Sequence, residues 1–114
     1  DDGDPGDVLV VGPTPVYPGV VIRSRPIGAL VMEDEAGRDE KILAVPVDKL
    51  HPFYANVASY RQMPPILIEQ ITHFFAHYKD LEKNKSTKVI GWVEPEAAAQ
   101  LIRDGQERLA QKIG

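Results

Sequence analysis

At 114 residues and a formal net charge of −4, the chain has room for one domain, residues 1–114, and its charge argues against nucleic-acid backbone binding as its main task. Its 43% hydrophobic and 26% charged residues exclude a disordered chain, and the lack of cysteine excludes disulfides, thiolate metal sites and a cysteine nucleophile, leaving oxygen or imidazole for any metal. No apolar run approaches the roughly 20 residues that cross a bilayer and no stretch resembles a signal peptide, so a soluble protein is expected.

The chain opens on Asp1-Asp2-Gly3-Asp4-Pro5-Gly6-Asp7, an acidic loop that leads into Val8-Leu9-Val10-Val11, a β-branched run expected to be a buried strand. Gly12-Pro13-Thr14-Pro15 and Tyr17-Pro18-Gly19 are turn chemistry and separate this strand from Val20-Val21-Ile22-Arg23-Ser24-Arg25. Ile27 to Met32 reads as a strand, Glu33 to Asp39 as an acidic turn around Gly37, and Lys41 to Pro46 as the returning strand of a β-hairpin. His51 to Met63 has no clear period and is expected to be an ordered connection.

Pro64-Pro65 opens a helix, because proline suits the first helical turn, and Leu67, Ile71, Phe74, Phe75, Tyr78 and Leu81 carry its period to about Glu82. Thr87 to Trp92 reads as a last strand. Glu94-Pro95 then starts a second helix whose apolar positions Ala98, Leu101, Ile102 and Leu109 share a face despite Gly105. Strands first and helices later give an α+β fold, and short strands joined by tight turns suggest a small barrel.

The chemistry lies in two acidic clusters. Asp2, Asp4 and Asp7 form one, and Asp34 and Asp39 form the other in a segment that ends at Lys41. Carboxylates brought together repel unless cations fill the gap, and ligand sets made only of oxygen suit Mg²⁺ shared with substrate phosphates. Two or more such ions would activate a water from a pKa of about 15.7 towards neutrality and clamp an in-line displacement. An unligated carboxylate would take the proton, while Lys41, Tyr78 and Lys79 supply cationic and hydroxyl donors for phosphate oxygens.

Each candidate has a plainer use. The first cluster reads equally as a solvated turn, although a Ca²⁺ loop of the EF-hand kind would need glycine at Asp7 and glutamate at Pro13. Asp34 and Asp39 alone read as a charged hairpin tip, Lys41 and Lys79 as surface lysines, and Tyr78 as part of the helix stripe. His73 and His77 lie four apart but lack the glutamate of a His-Glu-x-x-His zinc site, so packing or a subunit contact is their expected use. Glu33, Glu35 and Glu40 are expected to be solvated charges.

Asp2-Gly3-Asp4-Pro5-Gly6-Asp7-Val8 resembles the signature of soluble inorganic pyrophosphatases, and Asp34 to Lys41 resembles their second acidic segment. His77-Tyr78-Lys79-Asp80-Leu81-Glu82 resembles their helical motif, and the likeness continues through Val20-Ile22-Arg25-Pro26-Gly28, Val45-Pro46 and Gly91-Trp92. The resemblance implies a small OB-type β-barrel, incomplete at its N-terminus, with two flanking C-terminal helices. It implies Mg²⁺-dependent hydrolysis of pyrophosphate to two phosphates in the cytoplasm, with Mn²⁺ or Zn²⁺ as substitute ions, by a homo-oligomer that is a hexamer in bacterial members. It further implies metal binding by Asp2, Asp7, Asp34 and Asp39, proton acceptance by Asp4, and phosphate binding by Lys41, Tyr78 and Lys79.

Two departures accompany the likeness. Gly6 stands where the family has an apolar residue, adding backbone freedom worth about 0.5–1 kcal/mol. The chain also opens inside the signature, so the family's N-terminal third, with further strands and phosphate-binding residues, is expected to be missing. The rival readings are an OB-type module that binds nucleic acid or another ligand, and an inactive fragment of the pyrophosphatase.

Overall fold

A computed structural model describes residues 7–12, 23–47 and 54–113, with backbone alone at Asp7 and at 111–113. Residues 20–22 of the expected strand from Val20 to Arg25 therefore lie outside the described residues, as does the acidic opening before Asp7. Strands β1 (Asp7–Val10), β2 (Ser24–Asp34), β3 (Gly37–Pro46) and β4 (Thr87–Val93) form one mixed sheet in the order β1-β3-β2-β4. Helices α1 (Pro65–His77) and α2 (Pro95–Ile113) complete the α+β fold.

The hairpin is as expected in kind, but its strands are longer and its turn tighter. The chain reverses at Glu35-Ala36, where Asp34 Oδ1 accepts the Ala36 N–H at 2.8 Å and Gly37 takes φ +125°, a conformation that favours glycine. Pairing then runs Asp34 to Gly37, Met32 to Asp39 and Leu30 to Lys41. Opposed residues of an antiparallel pair share a face, so this register commits Asp34, Asp39 and Lys41 to one side of the sheet.

That side carries α1, and the other carries α2. Under α1 lie Ile27, Leu43, Val45, Tyr54, Tyr60 and Met63, joined by Leu67, Ile68, Ile71 and Trp92. Against α2 lie Ala29, Ile42 and Ala98 with Val93, Leu101 and Ile102. Trp92 ties α1 to β4: its ring stacks on Tyr60 at 5.2 Å, and its N–H donates to Thr72 Oγ1 at 2.9 Å. The Thr72 hydroxyl in turn donates to the Ile68 carbonyl at 2.7 Å.

Two expectations need correction. The first strand is not buried as a whole, because β1 lies at the edge of the described sheet with Val8 52% exposed, and only Leu9 and Val11 pack on the core. The first helix ends at His77 rather than near Glu82. Beyond it, the Asp80 N–H bonds to the His77 carbonyl and the Glu82 N–H to the Lys79 carbonyl, both at 3.0 Å, a three-residue pattern that winds the chain into turns. Leu81 is fully exposed there, so no burial rewards a further helical turn.

The connection expected without a period contains a one-turn 3-10 helix at Tyr60–Gln62, with Ser59 and Gln62 capping each other's backbone. Arg25 holds the segment before it by donating to the carbonyls of Tyr54 and Val57. Glu94, just before α2, accepts from Ser59 Oγ at 2.9 Å and from the Arg61 guanidinium.

Two tests follow from this packing. A Cβ on Gly28 would lie 2.6 Å from Tyr60 Cδ1 and 3.0 Å from the Val93 carbonyl oxygen, so Gly28→Ala is expected to cost about 1–3 kcal/mol in urea unfolding. The Arg61 hydrogen bond, helped by Ser59 and opposed by desolvation, holds the Glu94 carboxyl below its usual 4.5. A depressed carboxyl contributes stability above its unfolded pKa that is lost as pH falls through its folded one. Glu94→Gln is therefore expected to lower the thermal midpoint at neutral pH, with the gap from wild type closing as the solution is taken below about pH 4.

Candidate active site

Lys41 is the anchor of the site. It lies mid-strand in β3 on the α1 face, and burial leaves it only 7% exposed. A buried ammonium is costly unless partnered, and this one is met by Asp39 Oδ2 at 3.0 Å and by the Phe75 ring, whose centroid is 5.3 Å away. Asp39 is two residues back on the same strand, where the period of two returns it to the same face.

From Phe75 the constellation continues through aromatic contacts. Tyr78 packs edge-on to Phe75 at 5.5 Å and stacks on Phe74 at 5.7 Å, so its ring is fixed from two sides. The Lys79 ammonium lies 5.5 Å from the Tyr78 ring centroid and 3.3 Å from Asp34 Oδ2. Asp39, Lys41, Phe75, Tyr78, Lys79 and Asp34 thus form one continuous chain of contacts along the α1 face.

Charge is balanced within this chain. Desolvation works to lower the Lys79 pKa, but its hydrogen bonds to Asp34 and Glu35 outweigh that and raise it above the usual lysine value. Glu35 is held down to about 2, chiefly by its own backbone N–H, against desolvation, with help from the Ser86 N–H, Lys79 and Lys85. Both groups are therefore charged at neutral pH.

Of the eight site residues expected from sequence, Lys41, Tyr78, Lys79, Asp34 and Asp39 come together. Asp7 enters β1 with its backbone paired to Lys41, so parallel pairing brings the end of the acidic opening next to the strand that carries Asp39. Asp2 and Asp4 lie outside the described residues. Among the described residues no three carboxylates or imidazoles are gathered closely enough to hold a metal, and two of the four expected ligands, Asp2 and Asp7, have no described side chain.

Sequence reasoning missed two participants. Phe75 was read only as helix core, yet it roofs Lys41. Glu35 was expected to be a solvated charge, yet its carboxylate meets Lys79 and Lys85 at 3.4 Å and accepts the Ser86 N–H at 3.3 Å. Its partners are 44 to 51 positions away, and no local spacing signals them. His73 and His77, expected to serve packing or a subunit contact, pack their rings together at 4.5 Å, and His77 Nδ1 pairs with Asp80 at 2.8 Å.

Residues 1–110 match the family model described as inorganic pyrophosphatase. The chain is 68% identical over 108 residues to the inorganic pyrophosphatase of Caulobacter vibrioides, covering 95% of this chain and 61% of that protein. It is 54% identical over 114 residues to that of Bradyrhizobium diazoefficiens, covering all of this chain and 64% of the relative. Among solved structures, the inorganic pyrophosphatase of Coxiella burnetii superposes with a TM-score of 0.89 at 49% identity, over 95% of this chain and 64% of that one. That of Helicobacter pylori gives 0.85 at 39%, over 99% and 65%. The chain spans about three-fifths of the length of the curated relatives it matches. It shares the α+β, OB-type fold of the solved relatives, and it belongs to the inorganic pyrophosphatase family.

Proposed function

We propose that the protein carrying this chain hydrolyses inorganic pyrophosphate to two phosphates with Mg²⁺ as cofactor. The observation that carries this reading is the run of paired charges and aromatic rings from Asp39 through Lys41, Tyr78 and Lys79 to Asp34, in a chain that matches the family from end to end of that run. It offers carboxylate oxygens for hard cations beside ammonium and phenol donors for phosphate.

The donor set fits Mg²⁺. Asp34 and Asp39 present carboxylate oxygens on one face, with the backbone of Asp7 one strand away, and the chain has no cysteine thiolate to favour a softer ion. Asp2, Asp7, Asp34 and Asp39 would hold the ions. When bound, Mg²⁺ would lower the pKa of water and offset the charge of the phosphates, with Mn²⁺ or Zn²⁺ as substitutes.

The chain's own residues do the rest. Lys41, held by Asp39 and Phe75, and Lys79, held beside Tyr78, bind phosphate oxygens as point charges. Tyr78, locked between Phe74 and Phe75, donates its hydroxyl to an oxygen that becomes more negative as the leaving phosphate departs. Asp4 accepts the proton of the attacking water.

We also read the protein as a cytoplasmic homo-oligomer. Among the described residues no helix is long and apolar enough to cross a membrane. The outer face of α1, with Ile66 61% and Phe74 58% exposed beside His73, supports contact with a second copy.

Phosphate release from pyrophosphate by the complete gene product is expected to require Mg²⁺ and to cease in EDTA; release unchanged in EDTA, or none at all, contradicts the reading. Asp7→Asn is expected to abolish turnover. Tyr78→Phe removes one hydrogen bond to a charged oxygen and keeps the ring stacking, so kcat/KM is expected to fall about 10- to 100-fold with the thermal midpoint nearly unchanged.

A further inference from the structure

Lys79 sits in the turn after α1, outside any helix or strand, yet its side chain is only 16% exposed. Two carboxylates hold it there, Asp34 at 3.3 Å and Glu35 at 3.4 Å. The two are not equivalent. Asp34 is a ligand candidate, and a cation that draws on its carboxylate weakens its attraction for the lysine. Glu35 is committed elsewhere: Oε1 accepts the Ser86 N–H at 3.3 Å, and Oε2 lies 3.4 Å from Lys85 Nζ as well as from Lys79.

Glu35 opens the two-residue turn between β2 and β3, so its carboxylate reaches from the hairpin tip to both ends of the segment between α1 and β4. A single exposed ion pair fixes little, but a carboxylate bound at once by an amide and two ammonium groups has one favoured geometry.

We propose that Glu35 is a positioning residue: it keeps the Lys79 ammonium directed at the substrate's phosphate oxygens once Asp34 is engaged by a cation. The proposal rests on the reading of Lys79 and Asp34 given above. Glu35 itself touches neither substrate nor cation. Its effect passes through Lys79, and a binding interaction made equally in ground and transition states appears in KM rather than kcat.

The test is a mutant cycle on the complete gene product, with Glu35→Gln, Lys79→Ala and the pair, assayed as Mg²⁺-dependent phosphate release. Glu35→Gln is expected to raise KM about five- to tenfold with kcat within about twofold, and to add nothing in the Lys79→Ala background. Lys85→Met, which removes Glu35's other ammonium partner, is expected to leave KM within about twofold of wild type. A KM rise in Lys85→Met equal to that of Glu35→Gln assigns Glu35 to holding the β4 entry and overturns the proposal, as does full additivity with Lys79→Ala.

A second readout needs no metal and no turnover. In the Asp34→Asn background, which removes the carboxylate as a bound cation would, acetic anhydride labelling in EDTA followed by mass spectrometry is expected to acylate Lys79 several-fold faster when Glu35→Gln is added, with Lys83 and Lys88 unchanged. An unchanged Lys79 rate removes the link on which the proposal stands. A wild-type protein that releases no phosphate contradicts the pyrophosphatase reading instead, and the labelling result still decides whether Glu35 holds Lys79.

Discussion

The register of the β2–β3 hairpin decides where Asp34, Asp39 and Lys41 stand. With Leu30 opposite Lys41 and Met32 opposite Asp39, Asp39 and Lys41 at the open end of β3 face α1 while Ile42 and Ala44 face α2. Because side chains alternate along a strand, a slip of one residue would bury Asp39 and Lys41 against the apolar face of α2 and turn Ile42 toward the site. The apolar pattern of the strands makes that slip costly. Leu43 and Val45 continue one face into the core under α1, and Ala29 and Ile42 fill the other.

Burial of Lys41 couples that sheet to the helix above it. The ammonium cannot remain under α1 without partners, and Phe75 and Asp39 supply them from two different elements. The helix is set in place independently by the Trp92 indole on Thr72 and by the Thr87 hydroxyl on the Ala76 carbonyl at 2.9 Å. The second bond meets a carbonyl near the helix C-terminus that lacks a helical partner. It thereby fixes where α1 ends and where Tyr78 and Lys79 begin. Asn84, at φ +60°, then allows the tight return into β4 that brings Lys85 and Ser86 over the hairpin tip.

Legibility in the sequence followed the range of the interactions. The hairpin, both helices and β4 announce themselves through local period, proline at helix starts and glycine in the turn, and the structure contains all of them. The end of α1 was misjudged because Tyr78 and Leu81 continue the apolar period of a helix that packing no longer supports, leaving Leu81 fully exposed. The exposure of Val8 had the same origin, since a β-branched run reads alike at a sheet's centre and at its edge. Site residue types were legible from motif, but their contacts were not. Asp34 to Lys79 and Glu35 to Ser86 join positions more than 40 apart, and nothing local encodes such pairs.

Reading the carboxylates by residue type alone suggests that their mutual repulsion demands metal cations. The geometry modifies that argument. Asp39 and Asp34 each face an ammonium, and Glu35 faces two, so the described part of the site carries its own counter-ions. On the reading proposed above, a divalent ion would have to compete with lysines rather than merely relieve repulsion. Competition of this kind is useful chemistry. A cation that draws a carboxylate toward itself loosens a lysine at the same moment, and the loosened ammonium is then available to a phosphate oxygen brought in beside that ion. On the same reading, Phe75 for Lys41 and Glu35 for Lys79 would keep the released charge from wandering into solvent. Metal affinity and phosphate affinity in such a site rise together, because each removes the other's competitor.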